Sequence, residues 1–322
     1  MPITLAKPLL LVPILAFIAF TSMAAPPAPP SLDHRLAQHV QKVASVEHNT
    51  AKPKALEDAA NYIEAILAAE GYTVRRQQYV SDGVPVRNLE VSLTNASDKR
   101  APQRIFIIGA HYDSARGAPG ANDNGSGTAA VLELARMLKG AHINPGTELK
   151  FVFFVNEEPP YFGGEDMGSW RHAKDLHARK QPVTAALILE TIGYYTKGKD
   201  SQAYPPGLEQ FYPNQGNFIA FVGTLETSDL VRSTLAAFKG VSGFPAEGLA
   251  SGAYAEGVTW SDHTSYNSHG YPAIMITDTA FLRYPYYHTA KDTPDKLDYK
   301  SMAQVVEGLA KVIEGMTSPT QM

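Results

Sequence analysis

Three short apolar runs most strongly constrain how this chain can fold. They are residues 105–110 (IFIIGA), 149–155 (LKFVFFV) and 185–189 (AALIL). Runs with so little polar alternation are typical of strands that helices cover on both faces, as in a parallel α/β sheet. The sequence therefore predicts an α/β fold with these runs in the central sheet.

Each of the three runs is followed by residues that can bind a metal ion. His111 and Asp113 follow the first run, Glu157 and Glu158 the second, and Glu190 the third. Polar residues after such a strand lie at the carboxyl edge of the sheet, where open α/β folds bind ligands. Each motif alone also fits an ordinary solvated turn. Three such endings in one sheet favour a metal site.

The first run leads into a glycine-rich loop, residues 120–127 (GANDNGSG), which contains Asp123. We expect a helix from Gly125, with an apolar stripe on one face and Glu133 among the polar residues on the other. Asp123 is then a candidate ligand at the helix N-terminus. We expect the carboxylate of Asp113 to orient His111, because zinc-binding imidazoles commonly donate their other N–H to a carboxylate. A phosphate-binding loop is excluded, since neither a Walker motif nor GxGxxG is present.

Composition narrows the class of protein and the chemistry of the site. The 322 residues are 44% hydrophobic, as in a globular domain, and a net charge of −4 gives no electrostatic argument for nucleic-acid binding. The chain has no cysteine. A thiol nucleophile and thiolate ligands are therefore excluded, and any metal must be held by histidines and carboxylates.

The N-terminus has the pattern of a secretory signal peptide. Residues 1–24 combine one lysine, a short apolar run and a small-residue cleavage site, and residues 25–31 form a Pro/Ala-rich linker. An uncleaved membrane anchor is the alternative. The sequence predicts an exported protein, periplasmic or secreted, without stable membrane association after cleavage. The remaining segment, residues 32–317, is the predicted domain.

The rest of the chain supplies scaffold and one further ligand candidate. We expect helices over residues 32–46 and 53–70, with His34, His39 and His48 on solvated faces, and a closing helix over 301–314. Residues 194–216 form a long loop that could line a substrate cleft. Either His263 or His288 could complete the metal site.

The ordered motifs resemble those of the family-28 zinc metallopeptidases, which include leucyl-type aminopeptidases and, more distantly, glutaminyl cyclases. The motifs are AHYDS, GANDNGSG, NEE, a later acidic residue, SDHTSY and YHTAKDTPDKL. The resemblance implies a single-domain three-layer α/β/α sandwich with a mixed, mostly parallel sheet. It also implies two zinc ions. His111 and Glu190 would bind one, Glu158 and His288 the other, and Asp123 would bridge them.

The same resemblance assigns chemistry to the remaining residues. Glu157 would be the general base that activates a zinc-bridged water, and the peptide bond between Asp123 and Asn124 would be cis. Asp262 and His263 match a patch next to the metals. Many members of that family have Asp at the position of Glu190; glutamate is one methylene longer but remains an oxygen ligand.

Three functions are consistent with this reading. The first is a di-zinc aminopeptidase acting on peptides, the second a glutaminyl-peptide cyclotransferase that uses one zinc, and the third a non-catalytic binding domain of the same fold. Neither HExxH nor GxSxG occurs, which removes support for thermolysin-like and α/β-hydrolase chemistry. The side-chain specificity and the oligomeric state do not follow from the sequence.

Overall fold

The computed structural model describes residues 1–3, 29–95 and 101–318. The chain divides into two units, Met1–Pro30 and Ser31–Met322, and the fold below is that of the second. Most of the predicted signal peptide and linker falls on residues 4–28, outside the described part, so those assignments stay predictions. Among the described residues, no helix has the length and apolar character needed to cross a membrane.

One eight-stranded sheet organises the described residues of the second unit, in the order β1-β2-β4-β3-β5-β8-β6-β7. The strands are β1 (Arg75–Ser81), β2 (Val84–Thr94), β3 (Arg104–His111), β4 (Thr147–Phe154), β5 (Val183–Glu190), β6 (Ile219–Thr224), β7 (Ala246–Ser251) and β8 (Ala273–Thr277). The pairs β4/β3, β3/β5, β5/β8 and β6/β7 are parallel, whereas β1/β2, β2/β4 and β6/β8 are antiparallel. The predicted mixed, mostly parallel sheet is confirmed.

Helices lie on both faces of the sheet. They are α1 (Leu32–Val43), α2 (Pro53–Ala69), α3 (Gly127–Leu138), α4 (Gly168–Ala178), α5 (Ser228–Val241), α6 (His263–Ser268), α7 (Ala280–Arg283) and α8 (Tyr299–Thr317). Helices α1, α2, α3, α5 and α8 contribute to the large apolar core on one face, and α4 and α6 pack on the other.

The central strands are buried on both faces because their side chains alternate between the two cores. In β3, Phe106 and Ile108 belong to the larger core, and Ile105 and Ile107 to the smaller one. All four side chains are buried. This alternation explains the unbroken apolar run in the sequence and confirms the three-layer α/β/α arrangement.

The β6–β7 end of the sheet has an apolar cluster of its own. Phe218, Val222 and Met275 form a third small apolar cluster there, and loop residues Tyr204 and Ala255 pack against it. No short-range pattern predicted β7. Its sequence, AEGLAS, lacks β-branched residues and has a glycine near its centre. Its pairing with β6 along six positions defines it.

Three predictions about the helices and the polar residues on or near them are wrong. The regular part of α3 begins at Gly127 instead of Gly125, because residues 121–126 form a wider turn with non-helical backbone at Asp123. His39 and His48 are buried instead of solvated, as is Glu133. The polar face of α3 packs against α1, so its charged residue lies between two helices.

Candidate metal centre

The carboxyl ends of three adjacent strands place the predicted ligands at one edge of the sheet. His111 is the last residue of β3 and pairs in register with Phe154, the last residue of β4. Glu190 is the last residue of β5. Glu157 and Glu158 follow β4 directly after a turn, and both are buried. Parallel packing therefore brings together residues that are far apart in sequence.

The side chains form two groups that can each hold a metal ion. The first consists of His111, Asp123 and Glu190, the second of Asp123, Glu158 and His288, and within each group the candidate ligand atoms lie within 4.8 Å of one another. His111 Nε2 is 3.3 Å from both Asp123 Oδ1 and Glu190 Oε2. The five residues predicted as ligands thus converge on one place.

Asp123 is common to both groups and presents a different oxygen to each. Its Oδ1 faces His111, whereas its Oδ2 lies 2.9 Å from His288 Nε2. His288 Nε2 is also 3.1 Å from Glu158 Oε2. This is the arrangement that a carboxylate bridging two cations requires.

His111 is oriented by a backbone carbonyl and not, as predicted, by the carboxylate of Asp113. Its Nδ1–H donates to the carbonyl oxygen of Asp113 at 3.1 Å, while the Asp113 carboxylate oxygen is 3.6 Å away. A carbonyl only accepts, so this contact fixes the tautomer and leaves Nε2 with its lone pair. His111 is therefore oriented as predicted, but by the backbone carbonyl of Asp113 instead of its carboxylate.

The Asp113 carboxylate instead holds the chain that carries the two glutamates. Its two oxygens accept hydrogen bonds from the backbone N–H of Glu157 at 3.1 Å and of Glu158 at 3.2 Å. The preceding residue, Asn156, has a φ of 62°, a conformation that non-glycine residues seldom adopt. Thr191 and His288, with φ of 51° and 54°, share this feature next to or within the site. Such strained positions cluster at functional sites.

The loop that carries Asp123 is anchored by its own polar side chains. Asn124 donates to the carbonyl oxygen of Leu189 at 2.8 Å and accepts from the N–H of Thr191 at 3.1 Å. The peptide bond between Asp123 and Asn124 is cis, as the resemblance implied. At Gly127, a Cβ would lie 2.3 Å from Asn124 Oδ1, so only glycine allows α3 to begin this close to the loop.

Asp292 is a further residue of the site that sequence reasoning did not single out. It is fully buried, and its oxygens accept from the backbone N–H of Asn122 at 2.8 Å and of Asp123 at 3.1 Å. Ser261 likewise donates to Glu190 Oε2 at 2.7 Å. Both lie within quoted motifs, YHTAKDTPDKL and SDHTSY, and that was the only signal in the sequence.

The choice between the two candidate histidines is decided by their surroundings. His288 contacts Asp123 and Glu158, and its side chain is 35% exposed. His263 is buried, and its Nε2 is hydrogen-bonded to the carbonyl oxygen of Val258 at 2.8 Å. His263 is therefore outside both ligand groups, although its neighbour Asp262 influences the site through charge.

The donor set fits a divalent cation. Among the described residues, His111 Nε2 and Glu158 Oε1 are buried without a hydrogen-bond partner. Buried polar atoms are almost always paired, so each such atom calls for an explanation. Histidine nitrogens and carboxylate oxygens are ligands that zinc accepts. Carboxylates outnumber imidazoles here, and a cation would balance that charge.

The pKa directions reflect this imbalance. Burial and the nearby charges of Glu190, Asp262 and Glu158 raise the pKa of Glu157 well above its usual value, although His111 opposes the shift. Burial and Asp123 raise the pKa of Glu158 to about 8. Burial also raises the pKa of Asp262, to about 7. A bound dication would favour the ionised forms of all three.

The family assignment comes from comparison with known proteins. The model of peptidase family M28 matches residues 88–313. The chain belongs to peptidase family M28. This M28 chain is 36% identical to the uncharacterized protein YfbL of Escherichia coli K12 over 295 residues, covering 87% of this chain and 88% of YfbL. It is 29% identical to leupeptin-inactivating enzyme 1 of Streptomyces exfoliatus, covering 74% of this chain but 54% of that enzyme.

Solved structures share the fold of this M28 chain. The LapA aminopeptidase of Legionella pneumophila has a TM-score of 0.68 at 22% identity, covering 90% of this chain and 73% of LapA. A glutaminyl cyclase of Fimbriiglobus ruber has a TM-score of 0.64 at 21% identity, covering 90% and 99%. BSAP, a zinc aminopeptidase from Bacillus subtilis, has a TM-score of 0.57 at 23% identity, covering 74% and 52%. These likenesses support the aminopeptidase-like fold, which aminopeptidases and cyclases share.

Proposed function

We propose that this M28 peptidase is a zinc-dependent aminopeptidase that removes N-terminal residues from peptides. One observation carries the proposal: two groups of candidate ligands, all buried except His288, share Asp123, and Glu157 lies beside them without belonging to either group. Relatives named as leucine aminopeptidases, and a structural neighbour named as a zinc aminopeptidase, support the choice of reaction and metal.

In this proposal five residues of the site bind metal ions, and one, Glu157, transfers protons. His111 and Glu190 would hold one zinc ion, Glu158 and His288 a second, and Asp123 both. When bound, zinc lowers the pKa of water and polarises a carbonyl oxygen. Asp113, Asp292 and Ser261 keep these ligands in position through the hydrogen bonds described above.

Glu157 is the proposed general base. Its Oε2 is 3.7 Å from His111 Nε2, so the carboxylate reaches the ligand groups while the other residues supply the ligands. Glu157 is buried and belongs to neither ligand group, so its carboxylate stays available to accept a proton. We propose that Glu157 accepts a proton from the attacking water and passes it to the leaving amine.

The decisive experiment combines metal counting with turnover. Zinc-loaded wild-type protein should contain two zinc ions, and His111→Ala or His288→Ala should remove one. Glu157→Gln should keep both ions and lose a factor of about 10²–10⁴ in kcat. Glu307→Gln, an exposed glutamate on α8, is the control and should match wild type in both measurements.

Peptides with a free and with an N-acetylated terminus test the direction of attack. Hydrolysis of free peptides alone supports an aminopeptidase, whereas equal hydrolysis of blocked peptides rules it out. Release of ammonia from an N-terminal glutamine peptide with one bound zinc would establish the cyclase instead. Full activity in Glu157→Gln would refute the role of Glu157 as general base. No turnover of any peptide would favour a non-catalytic binding domain.

A further inference from the structure

A large cavity adjoins the candidate metal centre. The space between its lining residues is about 830 Å³, a figure that includes open solvent. Glu190 lines it, and so does Tyr287, whose ring stacks on His288 with centroids 3.9 Å apart. A group bound at the metal centre can therefore extend directly into this space, which we call the side pocket.

The walls of the side pocket are apolar and aromatic. Its floor is the face of the sheet at β6 and β8, where Phe218, Val222 and Met275 are almost fully buried. Its roof comes from the long loop after β5, in which Tyr204 and Tyr212 stack with centroids 5.6 Å apart at 25°. A long aliphatic chain would find continuous contact along such walls.

Besides Glu190, two carboxylates interrupt this apolar surface. Glu247, on the edge strand β7, and Glu256 both line the side pocket, and none of the described lining residues is Lys, Arg or His. Glu247 is half-buried, and the described residues provide no ion pair or hydrogen bond for its side chain. Because Glu247 is partly exposed, water can solvate its carboxylate in the free protein, and the carboxylate stays available to pair with a cationic ligand.

The guanidinium of Arg283 is held by other partners. It lies behind the wall, with its Cζ 4.5 Å from the centre of the Phe218 ring. Its Nη1 donates to the carbonyl oxygen of Phe218 at 2.9 Å, and its Nε to Gln202 Oε1 at 2.7 Å. Arg283 is not among the described residues that line the side pocket, so Glu247 and Glu256 have no cationic side chain beside them in its wall.

We propose that the side pocket selects peptides whose N-terminal residue is lysine or arginine, a proposal that rests on the proposed aminopeptidase function. The aliphatic part of the side chain lies along Phe218, Val222 and Met275, which bury it as they would any apolar chain. The cationic end is paired with Glu247 and lies near the rings of Tyr204 and Tyr212. Both the charge pair and the cation–π contacts favour a cation over a neutral group of equal length.

Lysine and norleucine make a matched substrate pair for the test. Their side chains have similar aliphatic stems, but only lysine ends in an ammonium group. The zinc-loaded full chain should hydrolyse a chromogenic amide of lysine with a kcat/KM about tenfold or more above that for the same amide of norleucine. In Glu247→Gln this ratio should fall about tenfold, with norleucine turnover within about threefold of wild type.

The control variant is again Glu307→Gln, which removes the same charge from an exposed site on α8 and should leave the ratio unchanged. Glu256→Gln and the double variant test whether the second carboxylate adds to the first. A wild-type preference for norleucine overturns the proposal. An equal loss on both substrates in Glu247→Gln overturns it too, since that pattern indicates a structural role.

A binding measurement that needs no turnover distinguishes failure of the proposed aminopeptidase function from failure of the cation pocket. Wild-type and Glu247→Gln proteins are titrated with lysinamide and with norleucinamide by calorimetry. If no peptide is hydrolysed but lysinamide binds about tenfold more tightly and Glu247→Gln removes the difference, the aminopeptidase reaction is wrong and the cation pocket stands. Equal affinities for the two amides refute the cation pocket whatever the reaction.

Discussion

Asp113 shows how the role of a single residue depends on the backbone around it. The pattern His-x-Asp predicted a carboxylate that orients the imidazole of His111. In the folded chain the carbonyl of Asp113 does this, and its carboxylate binds the N–H groups of Glu157 and Glu158. One residue thereby couples the end of β3 to the ligand-bearing turn after β4.

Replacing Asp113 should loosen that turn before it affects His111. Asp113→Ala leaves two buried N–H groups without acceptors and should lower the free energy of unfolding by about 2–4 kcal/mol. Zinc at the Glu158–His288 group should be lost first. Urea unfolding and zinc titration measure the two effects. Asp113→Asn keeps one acceptor oxygen and should be milder, and equal losses in the two variants would contradict this role for the carboxylate.

At the scale of elements, a buried charge cluster joins α1 to α3. Glu133 on α3 is fully buried and accepts hydrogen bonds from the Nε of Arg35 at 3.0 Å and of Arg136 at 2.8 Å. His39 Nε2 lies 2.9 Å from its Oε1. Burial alone would raise the pKa of Glu133, but the hydrogen bonds from His39, Arg35 and Arg136 outweigh it and lower the pKa to about 2.

This cluster should make the contact between α1 and α3 sensitive to acid. The pKa of Glu133 is lower in the folded chain than its usual 4.5, so its stabilisation is complete above pH 4.5 and is lost as the pH falls towards 2. Glu133→Gln should cost about 2 kcal/mol at pH 7, since it leaves the partly buried guanidinium groups of Arg35 and Arg136 without their charged acceptor. The difference from wild type in urea unfolding should shrink at pH 3, and a constant difference at both pH values would refute the pKa argument.

At the scale of the whole molecule, the centre of the sheet and its β6–β7 end are covered differently. The central strands are enclosed by helices on both faces and end in the candidate ligands. At the β6–β7 end one face is covered by loops instead, and the cavity lined by Tyr204 and Glu247 lies between those loops and the sheet. The proposed reaction chemistry and the proposed substrate selection therefore lie on adjoining parts of one sheet.

The metal should stabilise the molecule as a whole, because it balances carboxylates that the fold buries together. Removal of zinc with a chelator should lower the melting temperature by roughly 5–15 °C, and restored zinc should recover it. Calorimetry with parallel zinc analysis measures both. Asp123→Asn, which alters the ligand common to both groups, should show a much smaller shift. An unchanged melting temperature after complete loss of zinc would contradict this coupling.

The sequence by itself determined the fold class, the strands that carry the site, and the candidate ligands at the ends of those strands. It could do so because apolar runs without alternation are local signals of a doubly covered sheet, and because ligands at strand ends follow directly from such runs. The family resemblance added the cis peptide and the pairing of ligands into two groups.

The family resemblance assigned His288 rather than His263 to the metals. Only the tertiary structure gave Asp113 its partners and buried His39 and Glu133. It also placed Asp292 against the N–H of Asp123, across 169 residues of sequence. Each of these depends on contacts between segments that no local periodicity relates. The cavity beside Glu190 has the same origin, because its floor, roof and carboxylates come from separate strands and loops that meet only when the sheet is complete.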